Sequence, residues 1–446
     1  MNSLNAIRLR FVQLRNHILQ KKLARLKVAI LGSGVTGQAV AEFCRGRGIS
    51  FYVFAESERL DLNDFTHLVY SPGAINSSLL REAQLAGVPC LNDLDFAQKF
   101  YNNRTIAITG TNGKTSTAEM LHHIFKKLRI PSLLTGNIGI PPISQIEKFN
   151  ENPEMWNICE VSSFQARDLA VFHPNYVLWT NFAPNHLDMH RTLEDYFLSK
   201  CNLMRRVREV AVVDSSVFQW PFAKNLRRDR ILEIATEGSN GTESALPCAH
   251  QVANFHLIRV LFGKIFPGQP IDPRLLEDFS FPPHRLRPCG VVENLTFWND
   301  SKATNSAAVK AALAHVKKFC DHLIWITCGR SKGEDMENFR PMISAADRVL
   351  VTGEIGETFS KYFPASNVHH CPTDESLVEQ IRACANAFGG QKCAVLLSPG
   401  FASFDRFKNY EERGRWFECL AKKVQRLFTK NPENKAGYAA MAGANS

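Results

Sequence analysis

The sequence predicts an α/β protein of more than one domain, with buried parallel strands alternating with helices. Three stretches carry that prediction. Gly32-Ser33-Gly34-Val35-Thr36-Gly37 is a Gly-x-Gly-x-x-Gly turn between an apolar run and a helical pattern. Gly113-Lys114-Thr115 stands in the same setting, and strand–helix alternation resumes from Val291 to about Phe428. Each is the strand–turn–helix unit from which doubly wound sheets are built. At 446 residues the chain is long for one domain, so two or three are expected.

In the first unit, Lys27–Leu31 reads as a strand, and the glycine turn leads into a helix through about Arg47. A second strand, Phe51–Phe54, ends at Ala55-Glu56, about where a ribose-binding acid sits in a dinucleotide fold. A third, Leu68–Tyr70, ends at Ser71-Pro72-Gly73, and residues 27–99 form one small doubly wound domain. The glycine turn alone leaves three readings open: a nicotinamide cofactor, another nucleotide, or a structural tight turn.

The second unit holds the most informative stretch. Thr105–Thr109 is a β-branched, apolar run that breaks at Gly110, and Lys114-Thr115 opens a helix to about Leu128. Such a helix start presents unpaired N–H groups and a positive dipole end to an anion. Lys114 adds a point charge for outer phosphates, and the Thr115 hydroxyl is a Mg²⁺ ligand. A full P-loop pattern has Gly five residues before Gly113, where Ile108 stands. The flanking strand and helix still favour nucleoside triphosphate binding over an ordinary turn.

Leu133-Leu134 is strand-like and leads to Gly136-Asn137-Ile138-Gly139. The strand Asn157–Val161 ends in Glu160-Val161-Ser162-Ser163-Phe164-Gln165, and a carboxylate there is placed to hold Mg²⁺, the alternative being a capping Glu. After the strand Tyr176–Thr180, His186 and His190 stand four apart, the spacing of a helical metal pair. Pro184-Asn185 make this a loop, which favours one imidazole facing Mg²⁺ or phosphate. In the helix that follows, Lys200 lies on the inner side with Phe197. Its amine is either held neutral among apolar neighbours or snorkels to solvent. Residues 224–247 read as polar and irregular, His250–Phe262 as a helix, and Phe279–Leu286 as an interdomain connection.

The last unit begins with a strand read as Val291–Trp298, followed by Asn299-Asp300-Ser301-Lys302-Ala303-Thr304-Asn305 and a helix to about Val316. Strand 322–327 leads to Gly329-Arg330-Ser331-Lys332-Gly333, strand 347–352 follows, and Cys393–Leu397 ends in Ser398–Asp405. Three polar, charged loops at carboxyl ends of strands mark a ligand face.

Composition narrows the class. The 45% apolar and 22% charged fractions suit a globular chain, and no apolar run approaches the roughly 18 residues a membrane span needs. The net charge of +10 is dispersed and carries no nucleic-acid-binding motif, which favours anionic small molecules. Twelve cysteines without a Cys-x-x-Cys pair point to reduced thiols in a cytosol. Residues 1–26 form a basic leader read as a solvated helical extension, and the Gly/Ala-rich tail 429–446 is expected to be disordered.

Taken together, these blocks resemble the Mur ligases, the ATP-dependent amino-acid-adding enzymes of bacterial peptidoglycan synthesis. The resemblance runs from Lys27 to about Phe428 and rests on Gly110–Thr115, Asn299–Asn305, Ser398–Asp405 with Arg406-Phe407, Glu160–Gln165, Gly136–Gly139 and Ser71–Gly73. It implies three domains: a Rossmann-like one for UDP (27–99), a central P-loop ATPase with a mostly parallel sheet (100–283), and a C-terminal Rossmann-like one for the amino acid (284–428). The block at Ser403-Phe404-Asp405 resembles the D-glutamate-adding member. The implied substrates are ATP, UDP-N-acetylmuramoyl-L-alanine and D-glutamate, with no nucleic acid and no membrane insertion, in a cytoplasmic bacterial monomer.

The resemblance also implies roles. ATP falls to Gly110, Thr111, Asn112, Gly113, Lys114, Thr115, Ser116, Asn254 and Asp300, with Lys302 near the phosphates. The UDP substrate falls to Val35, Thr36, Gly73, Asn137 and His186, with uracil recognition shifted to Glu56. Two Mg²⁺ ions fall to Thr115, Glu160, His186 and Lys200, the last as a carbamate. D-glutamate falls to Thr304, Lys332, Ser403, Phe404 and Tyr410, and Arg285 closes over the reaction centre. Departures are the reduced adenine block at Cys248–Asn254, with Gln251 and Asn254 as its candidate contacts, Arg406 where Gln is usual, and the unmatched leader. Alternatives are another Mur ligase or a folylpolyglutamate synthase, and, from other classes, an NAD-dependent dehydrogenase or a non-catalytic nucleotide-binding regulator.

Overall fold

The computed structural model describes residues 23, 25–54, 61–236, 246 and 248–429. Glu56, nearly all of the leader and all but the first residue of the tail lie outside the described residues. The chain builds three sheets. The described parts of Met1–Phe182 and Arg191–Phe279 form one compact unit, and those of Ala183–His190 and Ser280–Ser446 another.

The first sheet contains β1 (Lys27–Leu31), β2 (Ser50–Phe54), β3 (His67–Tyr70) and β4 (Cys90–Asn92) in the order β2-β1-β3-β4, all parallel. Helix α1 (Val35–Gly46) connects β1 to β2, α2 (Ser78–Leu85) connects β3 to β4, and α3 (Asp93–Gln98) follows β4. The turn between β1 and α1 requires two of its glycines: Gly32 has φ +103°, and a Cβ on Gly37 would stand 1.8 Å from the Gly32 carbonyl oxygen.

The second sheet runs β10-β9-β8-β5-β7-β6, every pair parallel. Its strands are β5 (Thr105–Thr109), β6 (Ser132–Gly136), β7 (Trp156–Glu160), β8 (Tyr176–Trp179), β9 (Val210–Asp214) and β10 (Ile231–Ile234). Its helices are α4 (Lys114–Lys127), α5 (Ile146–Glu151), α6 (Ser163–Arg167), α7 (Leu193–Met204) and α8 (Ala249–Ile265). β5 lies between β7 and β8, so the chain order reverses at the strand that feeds the Gly-Lys-Thr loop. That is where open α/β sheets leave a crevice for ligands. The segment read as irregular contains β10, an edge strand of only four residues. Its short apolar pattern is hidden by the flanking charges at Arg227–Arg230.

The first sheet is seated on the second by buried polar contacts. Asp95 accepts the N–H groups of Ala170 (2.7 Å), Val171 (2.9 Å) and Phe172 (2.7 Å). Asn92 Nδ2 donates to Gln165 O (2.7 Å), and Gln165 Nε2 donates to Asp93 (3.0 Å). Gln165 also closes the capping box of α6 with Ser162. The end of the Glu160–Gln165 block is therefore structural.

The third sheet is mixed, in the order β11-β12-β16-β13-β14-β15. Its strands are β11 (Arg287–Val292), β12 (Leu295–Asn299), β13 (His322–Cys328), β14 (Arg348–Thr352), β15 (Val368–His370) and β16 (Cys393–Gly400). Its helices are α9 (Ser306–Val316), α10 (Arg340–Ala345), α11 (Gly356–Tyr362), α12 (Asp374–Ala387) and α13 (Tyr410–Thr429). The single strand expected over Val291–Trp298 is instead part of a hairpin. β11 and β12 are antiparallel and joined through Glu293-Asn294, with Glu293 at φ +51°. Two-residue hairpin loops demand positive φ, and here Glu293 takes it rather than the better suited Asn294.

One glycine in α13 makes room for a histidine. His284 is buried, with Nδ1 2.9 Å from Asn299 Nδ2, and a Cβ on Gly414 would stand 2.2 Å from that same nitrogen. Gly414→Ala is expected to destabilise this unit by about 1–3 kcal/mol through overpacking. Urea unfolding followed by tryptophan fluorescence measures it, and an unchanged midpoint would contradict this packing.

Candidate active site

The Gly-Lys-Thr loop grows out of β5. Gly110 (φ +147°) and Gly113 (φ +82°) take conformations that a side chain would oppose. Gly113 caps α4, so the helix start faces the crevice beside β5. A Cβ at Gly113 would meet Asn254 Nδ2 at 2.7 Å, which brings the buried Asn254 of α8 against the loop. Thr111 and Ser116 are buried beside it, and Thr111 Oγ1 is 3.2 Å from the Tyr196 hydroxyl of α7.

Three expected site residues converge on one another here, with a fourth on the same loop. Thr115 Oγ1 donates to Glu160 Oε2 (2.8 Å), and Asn137 Nδ2 donates to Glu160 Oε1 (2.7 Å). Glu160 is 1% exposed at the end of β7, beside β5 on one side and β6 on the other. A buried carboxylate next to a threonine hydroxyl is an all-oxygen donor set of the kind hard cations take. Lys114 Nζ donates to Gly110 O (2.9 Å) and Thr111 O (3.0 Å).

Lys200 reaches the same carbonyl from α7: its Nζ donates to Gly110 O (3.0 Å) and lies 3.4 Å from Thr109 Oγ1. It is 1% exposed, and its amine sits 4.9 Å from the centre of the Tyr196 ring. Burial, then the neighbouring Lys114 charge, hold its pKa well below the usual lysine range, opposed by Glu160. Snorkelling is thereby replaced by a buried, weakly basic amine.

In the first sheet, Val35 and Thr36 open α1, with Val35 exposed, and Gly73 lies in the turn after β3. Since β1 and β3 are neighbours, these residues share one carboxyl edge.

In the second compact unit, His186 lies in the irregular stretch after Phe182 with φ +56°, and its N–H is held by Asn185 Oδ1 (2.9 Å). His190 does not share a helix with it, and the described residues contain no cluster of three or more His, Cys, Asp or Glu able to hold a metal. β12, β16 and β13 are adjacent, so the loops that follow them emerge side by side. Arg330 and Ala402 exchange backbone hydrogen bonds (2.8 and 3.0 Å), which ties the Lys332 loop to the Ser403 loop. Ser403 is buried and Phe404 is 62% exposed. Lys302 Nζ stands 3.8 Å from the Tyr410 ring centre, and Thr304 lies on the same loop two residues on. Asp300 accepts a hydrogen bond from Ser398 Oγ (3.0 Å), and burial pushes its pKa up to about 7 against the pull of Ser398, Arg285 and Arg413.

Sequence reasoning missed Arg413. It is wholly buried at the start of α13 and donates to Ser301 Oγ (3.1 Å), Ser301 O (2.8 Å), Phe401 O (3.0 Å) and Cys328 O (3.4 Å). It thus fastens the starts of all three loops.

A Gly-Lys-Thr loop at the order reversal of a parallel sheet, with a hydroxyl–carboxylate pair beside it, defines a P-loop nucleotide-binding α/β protein. A model described as the Mur ligase middle domain matches residues 108–260, and one described as the Mur ligase glutamate ligase domain matches 284–399. The chain is 30% identical over 433 residues to a Chlamydia caviae protein named UDP-N-acetylmuramoylalanine–D-glutamate ligase, covering 90% of this chain and 99% of that one. It is 30% identical over 430 residues to the Aquifex aeolicus protein of the same name, covering 91% and 100%. Among solved structures, MurF from Acinetobacter baumannii shares the fold at TM-score 0.59 and 14% identity, covering 81% of this chain and 90% of that one. MurC from Thermotoga maritima does so at 0.54 and 18%, covering 91% and 100%. The chain belongs to the Mur ligase family.

Proposed function

We propose that this protein is the ATP-dependent ligase that joins D-glutamate to UDP-N-acetylmuramoyl-L-alanine, releasing ADP and phosphate. The observation that carries the reading is the convergence of Lys114, Thr115, Glu160 and Lys200 on the Gly110–Ser116 loop. Relatives of that name match nearly end to end, which favours this ligase over the folate, dehydrogenase and regulator alternatives. Residues 27–99 bind UDP, 100–283 bind ATP and 284–428 bind the amino acid. The protein works as a monomer in the bacterial cytoplasm, and no described helix is long and apolar enough to cross a membrane.

A carboxylate resists attack by an amine because oxide would have to leave. ATP converts it to an acyl phosphate, the amine of D-glutamate adds to that carbonyl, and the tetrahedral intermediate expels phosphate. Lys114 and the helix start of α4 hold the ATP phosphates, with Asn254 behind the loop and Asp300 at the ribose. Thr115 and Glu160 would hold Mg²⁺, Lys200, as the carbamate its amine forms with CO₂, would hold a second ion, and His186 is the remaining candidate ligand. Bound Mg²⁺ supplies charge neutralisation on the transferring phosphoryl group. Asn137 keeps its carbonyl oxygen for the UDP substrate, since Glu160 occupies its amide. Val35, Thr36 and Gly73 line the UDP end. Lys302 is the further candidate cation for the phosphates, and Arg285 the candidate cation for the reacting carboxylate. Thr304, Lys332, Ser403, Phe404 and Tyr410 hold D-glutamate.

Phosphate release from ATP with UDP-N-acetylmuramoyl-L-alanine and a panel of amino acids tests the assignment. Release should depend on D-glutamate, and release indifferent to it overturns the reading. Glu160→Gln removes a charged ligand while keeping the Thr115 hydrogen bond possible. The Mg²⁺ concentration for half-maximal rate is expected to rise about tenfold or more, read from Mg²⁺ titrations.

A further inference from the structure

The Gly110–Gly113 loop is gripped from outside by the residues that follow β8. Asn181 Oδ1 accepts the Asn112 N–H (2.9 Å), and Asn181 Nδ2 donates to the Asn112 carbonyl (3.1 Å). The Asn181 backbone carbonyl accepts the Thr111 N–H (3.1 Å) and is itself fixed by Trp179 Nε1 (3.0 Å). Thr180 Oγ1 donates a second hydrogen bond to the Asn112 carbonyl (2.6 Å) and stands 2.0 Å from where a Cβ on Gly110 would be.

Two consequences follow from this arrangement. The N–H groups of Thr111 and Asn112 are directed at Asn181, so in this loop they fix its shape, and the helix start from Gly113 onward is the part that presents N–H groups to an anion. Ile108 denies the loop the extra glycine of a full P-loop, and a primary amide that matches both the N–H and the C=O of one residue fixes the shape instead. Neither bond involves a charge. The role is therefore geometric, exerted through the loop backbone.

We propose that Asn181 is a positioning residue of the nucleotide site, holding the peptide groups of Asn112 so that the Gly110–Gly113 loop has its phosphate-binding shape before ATP arrives. This rests on the reading of the loop as the ATP site. The test is Mg·ATP binding by isothermal titration calorimetry together with steady-state kinetics on the full chain. For Asn181→Ala, loss of two hydrogen bonds should weaken Mg·ATP binding about tenfold. KM for ATP should rise by the same factor, while KM for D-glutamate and for the UDP substrate stays within twofold. Asn181→Asp keeps the acceptor for the Asn112 N–H but sets a carboxylate oxygen against the Asn112 carbonyl, so its loss should be larger. Asn181→Gln, with both groups one methylene further out, should recover part of the affinity. A merely structural residue would lower the melting temperature and the specific activity without splitting the KM values. Folded variants that bind Mg·ATP as tightly as the wild type overturn this inference alone, whereas a wild type that binds no Mg·ATP overturns the ATP site itself.

Discussion

Replacing Lys200 with methionine is expected to slow ligation severely and to raise the melting temperature. The side chains are close in volume, so the packing around Tyr196 and Phe197 is kept. Gly110 O retains its hydrogen bond from Lys114, and Thr109 Oγ1 loses only a long one of 3.4 Å. What disappears is a buried amine whose charged form the site rejects, chiefly through burial and then through Lys114. The folded-state pKa is lowered, so between that value and the ordinary lysine value of 10.5 the unfolded chain binds the proton and the native one does not. Wild-type stability therefore rises with pH across that window, and the native state carries the full penalty below it. Methionine removes the penalty and the slope. The melting temperature at neutral pH should rise by about 2–4 °C or more, and the gain in wild-type stability on raising the pH from neutral should shrink in the variant.

Activity should move the other way, falling by roughly a hundredfold to a thousandfold, the usual loss when a group that stabilises transition-state charge is deleted. A weakly basic amine is also a nucleophile for CO₂, and capture would turn it into an anion beside the Thr115–Glu160 pair. ¹³C-bicarbonate should then give a carbamate resonance in the wild type that is absent from Lys200→Met. Bicarbonate should stabilise the wild type only. A variant that keeps its turnover, or a wild type without the resonance at saturating bicarbonate, would remove Lys200 from the metal site.

The parts of this molecule legible from sequence are those where local chemistry and topology agree. Gly110 and Gly113 announced the phosphate loop because their positive φ values have few substitutes. Glu160 and the loops after β12, β13 and β16 could be placed at strand ends, since a buried apolar run fixes where a strand stops. The hairpin of β11 and β12 was not legible: its turn is Glu293-Asn294, without Gly or Pro, inside a run that otherwise reads as one strand. Pairing partners were equally hidden. Asn137 next to Glu160, Asn181 under Asn112, and Gln165 on Asp93 are set by strand order, which no local pattern encodes. Arg413 was invisible for the opposite reason. It lies in Glu411-Glu412-Arg413-Gly414-Arg415, a charge run of the kind that ordinarily faces solvent.

Arg413→Met is accordingly expected to be among the most damaging single changes in the third sheet and its helices, costing about 3–5 kcal/mol, because several buried oxygens lose a charged donor at once. The guanidinium offers a planar set of donors, and the structure uses them on Ser301, Cys328 and Phe401. Methionine fills the volume and leaves those acceptors without this donor, at the mouths of the loops that carry Lys302, Lys332 and Ser403. Lysine restores a charge at one point but cannot span three loops, so Arg413→Lys should recover only a fraction of the stability. Calorimetry should show a lower-temperature transition assigned by hydrogen exchange to residues 287–429, with the Thr105–Thr109 strand still protected. Variants that remain folded should need a higher D-glutamate concentration for half-maximal rate, because the loop ends drift apart before the amino acid binds. Wild-type unfolding together with an unchanged D-glutamate requirement in Arg413→Met would mean that the three loops hold their places by backbone bonds such as Arg330–Ala402 alone.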